Sequence, residues 1–138
     1  MIVERETIDT ALTEWLNLGF SPESLDILKN RLYDRVVCEY WEKLGIATGQ
    51  YGGFDSSNNV HVIQLEKKLL KKKGRGIDTK YHEIRHCAIE EIFHVLLDKE
   101  SELYNGLDNR NTEKRILDAY KISKSPLYTR SMRYRREN

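Results

Sequence analysis

The sequence predicts an α+β domain, predominantly helical, with about four helices and a small two- or three-stranded antiparallel sheet near residues 50–65. Two patterns lead there: apolar residues recur at three- and four-residue spacing over long stretches, and one short β-branched run, Val60 to Leu65, follows a segment rich in turn formers. Length adds a third constraint, since 138 residues suit one domain with a real core. The expected division is a single helical domain over 1–125 and a basic C-terminal tail over 126–138.

The first helix is predicted from Ile8, Leu12, Trp15 and Leu16, which share a helical face, with Gly19 as its stop. Ser21-Pro22-Glu23 then reads as a helix start. The serine hydroxyl caps, the proline's missing N–H is harmless in the first turn, and the acid faces the positive end of the helix dipole. From there Leu25, Leu28, Leu32, Val36, Tyr40 and Leu44 form one stripe, widened by Val37 and Trp41, and predict a second helix running to Gly45. Because only Gly19 to Ser21 separates them, these two helices are expected to pack antiparallel.

Gly49 to Asn59 is the turn-rich segment, and Val60-His61-Val62-Ile63-Gln64-Leu65 the strand that follows it, with His61 assigned to the outward face. Asp78 is placed to cap a third helix that continues through Leu97 and lays its apolar face on the first two. A fourth helix around Thr112 to Lys121 is expected to bury Ile116, Leu117 and Tyr120. Pro126 interrupts helical structure before the tail.

Composition narrows the functional classes. No run of about 18 to 20 apolar residues is present, and the N-terminus lacks a basic region followed by an apolar one, so a cytoplasmic rather than membrane or secreted protein is expected. Two cysteines, Cys38 and Cys87, are too few for a disulfide framework and lack paired metal spacing; reduced thiols are expected, each in a helical pattern. The net charge of +1 gives no global field favouring nucleic acid. Gly49-Gln50-Tyr51-Gly52-Gly53 lacks the Lys-Ser/Thr of a phosphate-binding loop and reads as a hairpin or loop.

The chemistry concentrates between His82 and His94. His82-Glu83-Ile84-Arg85-His86 fits H-E-x-x-H, in which two histidines one turn apart hold zinc and the glutamate polarises water. At about 100° per residue the two histidines project roughly 40° apart, close enough for both rings to reach one ion. Ile84, Ala88, Ile89, Ile92, Phe93 and Leu96 supply the apolar face, and the histidines fall at its border. In this motif the chain resembles the zincin metallopeptidases, whose active-site helix follows a short sheet, as this helix follows Val60 to Leu65.

The resemblance covers about a third of the chain and implies zinc-dependent hydrolysis of a peptide or other amide bond. By it, His82 and His86 are zinc ligands, Glu83 is the general base, and a later acid, Glu113 or Glu102, is the third ligand. Arg85 departs from the pattern, where those families carry an uncharged residue.

A second register stays open. His86, Glu90 and His94 also recur every fourth residue and could share zinc, iron or manganese, with Glu90-Glu91-Ile92-Phe93-His94 reading as the same motif with an acid in place of its first histidine. Outside this helix, two basic segments point to another class. Lys71, Lys72, Lys73 and Arg75, and then Arg133, Arg135 and Arg136 interleaved with Tyr134, suit phosphate contacts and base stacking. The alternative to a hydrolase is therefore a small nucleic-acid-binding or protein-binding module without catalysis.

Overall fold

A computed structural model describes residues 1–15, 21–45, 48–71, 77–98, 103, 114, 116–118 and 121, without the side chains of 14, 15, 71 and 77–86. In chain order, helix α1 (Arg5–Asp9) runs into a π-helical segment (Thr10–Trp15), and α2 (Pro22–Leu32) leads to strand β1 (Val36–Trp41). The hairpin β2 (Gly49–Asp55) and β3 (Val60–Glu66) follows, then the single turn α3 (Lys68–Lys71) and the long helix α4 (Ile77–Leu97). Lys114, residues 116–118 and Lys121 are also helical.

The start of α2 forms as its residues dictate. The Ser21 hydroxyl accepts the Ser24 N–H at 3.1 Å, with Pro22 in the first turn. The helix then stops at Leu32, eleven residues on, instead of continuing to Leu44. Asp34 adopts a left-handed φ of +63°, and the chain leaves it extended. The predicted stripe crosses from helix into strand because its members from Leu28 onward lie four apart. A step of four keeps residues on one face of a helix and also on one face of a strand, so Val36 and Tyr40 satisfy both periods. What separates the two is the intervening Cys38, buried in phase with Val36, and the β-branched and aromatic content of Val36–Trp41. Cys38 accordingly lies in a strand, not a helix.

This extra strand changes the sheet. The order is β1-β3-β2, with β1 parallel to β3 and β2 antiparallel to it, so the sheet is mixed rather than antiparallel, and helix no longer clearly predominates. The open side of β1 carries the N-terminal residues: Ile2 bridges Val37, and the Cys38 N–H donates to the Met1 carbonyl at 2.7 Å.

In the β2–β3 turn the Asp55 carboxylate accepts N–H groups from Ser57 at 3.0 Å and Asn58 at 3.3 Å. The hydrogen bond from the Asn58 side chain, followed by these main-chain bonds, holds its pKa below the ordinary carboxylate value. A bulge between Tyr51 and Gly53, where Gly53 takes φ +103°, shifts the register. Tyr51 therefore pairs with Ile63 and Phe54 with His61, so both aromatic residues reach the His61 side of the sheet.

Helix α4 packs chiefly on β2 and β3, and also on α1 and the π-helical segment. The core between them contains Ile8, Leu12, Ile63, Leu65, Ile89, Ile92, Phe93 and Leu96. Ile116 is fully buried, whereas Leu117 is 39% exposed and does not join the core as predicted. Tyr120, the predicted stop at Gly19 and the tail from 126 lie outside the described residues. Among the described residues no helix is long and apolar enough to cross a membrane.

Candidate metal centre on the long helix

Both histidine registers lie on the backbone of one uninterrupted 21-residue helix. His82, Glu83 and His86 fall in its first part, and their side chains are outside the described residues. The same holds for the Lys71 side chain and for Glu102, Glu113, Lys72, Lys73, Arg75, Arg133, Arg135 and Arg136 altogether. Glu90, Glu91 and His94 fall in its second part, where Glu91 lies beside Gly49 at the start of β2.

Around α4 the residues sort by face. Ala88, Ile89, Ile92, Phe93, Val95 and Leu96 are all buried apolar side chains. A second stripe, Cys87, Glu91, His94 and Asp98, follows the three- and four-residue steps of one helical face. Three of its members meet the edge strand and the residue before it. The Cys87 thiol lies 3.9 Å from the Thr48 hydroxyl, and Tyr51 donates its phenolic proton to Asp98 Oδ2 at 2.8 Å. Between them, a Cβ added at Gly49 would stand 3.3 Å from Glu91 Cγ and 3.4 Å from Glu91 Oε1. Gly49 thus leaves the space into which the Glu91 side chain fits.

Glu90 and Glu91 are only 8% and 4% exposed, and His94 is half-buried. Carboxylates are seldom held out of water unless hydrogen bonds, an opposite charge or a metal compensates. An imidazole with carboxylates suits zinc, iron or manganese. Among the described residues no three histidine, cysteine, aspartate or glutamate side chains converge closely enough to hold an ion. A metal held by Glu90 and His94 therefore needs a further donor from outside the described side chains.

A polar chain, not evident in the sequence, crosses the sheet. His61 is 4% exposed and faces α4, contrary to its assignment to the outward side. Its Nδ1 lies 3.2 Å from the Tyr51 hydroxyl, and the Phe54 ring packs against it with centroids 4.9 Å apart. A signal was present: His61 is in phase with Ile63 and Leu65, the most apolar alternate pair of the strand. Burial pulls the His61 pKa below 6.5, against the attraction of Asp98 and with the repulsion of Arg35. Burial likewise pushes the Cys38 thiol up to about 11, which makes it a poor nucleophile.

No family model, curated protein or solved structure matches the chain.

Proposed function

We propose that the protein is a metal-dependent hydrolase of peptide or other amide bonds, built on α4 in the lower of its two registers. Glu90 and His94, one helical turn apart, are the ligands from α4 in this reading, and Glu91 is the general base. The observation that carries it is the position of Glu91, buried beneath the start of the antiparallel edge strand where Gly49 makes room for it. That burial sets Glu91 apart from a glutamate that only solvates a helix edge.

A bound zinc ion would supply Lewis acidity, lowering the pKa of water and polarising the substrate carbonyl. Glu91 would take the proton released by water and return it to the departing amine, work for which a carboxylate must lie within hydrogen-bond reach. The basic residues Lys71, Lys72, Lys73, Arg75, Arg133, Arg135 and Arg136 have no part in that chemistry. The same reading places the protein in a cytoplasm, where Cys38 and Cys87 stay reduced.

Elemental analysis of the full chain purified from zinc-replete medium tests this reading. Stoichiometric metal in wild type, Glu91→Gln and His82→Ala, with none in His94→Ala, is expected. Loss of amide hydrolysis by about 10²-fold or more in Glu91→Gln would then identify the base. Retention of metal in His94→Ala with loss in His82→Ala would move the site to the upper register, with Glu83 as base. Absence of metal throughout would reject the hydrolase and direct attention to nucleic-acid binding by the basic segments.

A further inference from the structure

The polar chain from Asp98 through Tyr51 to His61 joins three elements at one point: the end of α4, the edge strand β2 and the central strand β3. Its proton order follows from stoichiometry. A phenol has one proton, and Tyr51 gives it to Asp98, so the Tyr51 oxygen must accept from His61, and the neutral ring carries its proton on Nδ1. The His61 main-chain N–H donates to the Arg35 carbonyl at 2.7 Å, which fixes the backbone from the side of β1. With the Phe54 ring against it and 4% exposure, the imidazole is held dry and in one orientation.

We propose that Asp98, Tyr51 and His61 form a proton-operated latch that pins the last turn of α4 to the β2–β3 hairpin and releases it on acidification. The buried ring has room in its bonding for one proton. A second, on Nε2, places a cation inside the sheet–helix interface. Among the described residues, the charged or titratable groups that act on it are Asp98 at the end of α4, Tyr51 from β2 and Arg35 just before β1. Asp98 favours the cation, while burial and Arg35 oppose it, and burial dominates.

The sign follows from linkage. A ring that opens to water regains its ordinary pKa of 6.5, above its value when closed. The closed state is therefore fully favoured above that pH. As pH falls from 6.5 towards the closed-state pKa, the open fraction grows by up to about tenfold per pH unit. The latch stands apart from the proposed hydrolase and holds whether or not α4 carries a metal.

Residue-resolved amide exchange of the full chain, corrected for intrinsic rates, reads the release directly at Val95 to Asp98. Wild type is expected to exchange faster there below pH 6.5 by up to about tenfold per unit. His61→Asn, whose amide can donate where Nδ1–H does but never becomes charged, is expected to lose that pH dependence. Tyr51→Phe is expected to show the fast, acid-like exchange already at neutral pH. Nitrogen-15 spectra of wild type need no variant and are expected to show the Nδ1–H tautomer at neutral pH. An Nε2–H tautomer, a wild-type exchange rate flat with pH, or an acid response surviving in His61→Asn would each overturn the latch.

Discussion

On the side of β3 that meets α4, His61, Ile63 and Leu65 are 4%, 0% and 0% exposed, whereas the neighbouring Gln64 lies on the other side in a row of polar groups. There Gln50 donates to Gln64 at 2.5 Å, Gln64 donates to Glu39 at 3.4 Å, and the Trp41 indole donates to the same carboxylate at 3.1 Å. Both faces thus carry a polar chain spanning strands. The inner chain ends on His61, which is 4% exposed, with Tyr51 and Asp98 half-buried beside it, so water replaces its partners less readily. The outer chain has exposed members in Gln50, Glu39 and Trp41, and water can take up any bond it gives up. Geometry on the two faces looks alike; the solvent behind it sets what each bond is worth.

The strongest test of this contrast uses adjacent residues of one strand. Ile63→Ala removes a fully buried side chain facing α4 and leaves a cavity among well-packed neighbours. A loss of about 2–5 kcal/mol in unfolding free energy by urea titration is expected. A loss under about 1 kcal/mol would mean that the interface collapses around the gap and is looser than the packing of Phe93, Ile89 and Leu65 implies.

The second test asks whether the inner face tolerates addition as poorly as removal. Gly49→Ala places a methyl 3.0 Å from Leu65 Cδ2 and within 3.4 Å of Glu91. Two buried side chains must then shift together, which typically costs about 1–3 kcal/mol. Activity sharpens the point. If Glu91 is the base, Gly49→Ala lowers turnover beyond what its folded fraction explains, while a purely structural Glu91 leaves turnover per folded molecule unchanged.

How much of this was legible in the residues depends on whether the relevant contact is local. Ser21 and Pro22 announced α2, the turn-rich segment announced the hairpin, and the apolar period announced α4, because caps, turns and faces are short-range properties. Strand β1 was hidden by its four-residue spacing, and with it the parallel pairing, since nothing within Val36–Trp41 tells which strand will lie beside it. The candidate site divides the same way. The spacing from His82 to His94 shows which side chains could share an ion, but nothing local to the helix shows that Glu91 lies beside Gly49, 42 positions away. The bulge at Gly52, which brings Phe54 against His61, is equally invisible to a strict two-residue alternation.

The smallest expected effect is the one that most directly separates the faces. Gln64→Ala deletes the middle of the outer row, breaking its bonds to both Gln50 and Glu39 at once. If hydrogen bonds contributed equally wherever they are drawn, this substitution would rival the loss of the inner chain. Exposed Gln50 and Glu39 can instead turn to water, and the lost bonds are exchanged rather than left unmade. A change within about 0.5 kcal/mol is expected, with no alteration of the pH dependence of stability. A cost above about 1.5 kcal/mol would show that the outer row is shielded from water, and the contrast between the faces would then rest on side-chain volume alone.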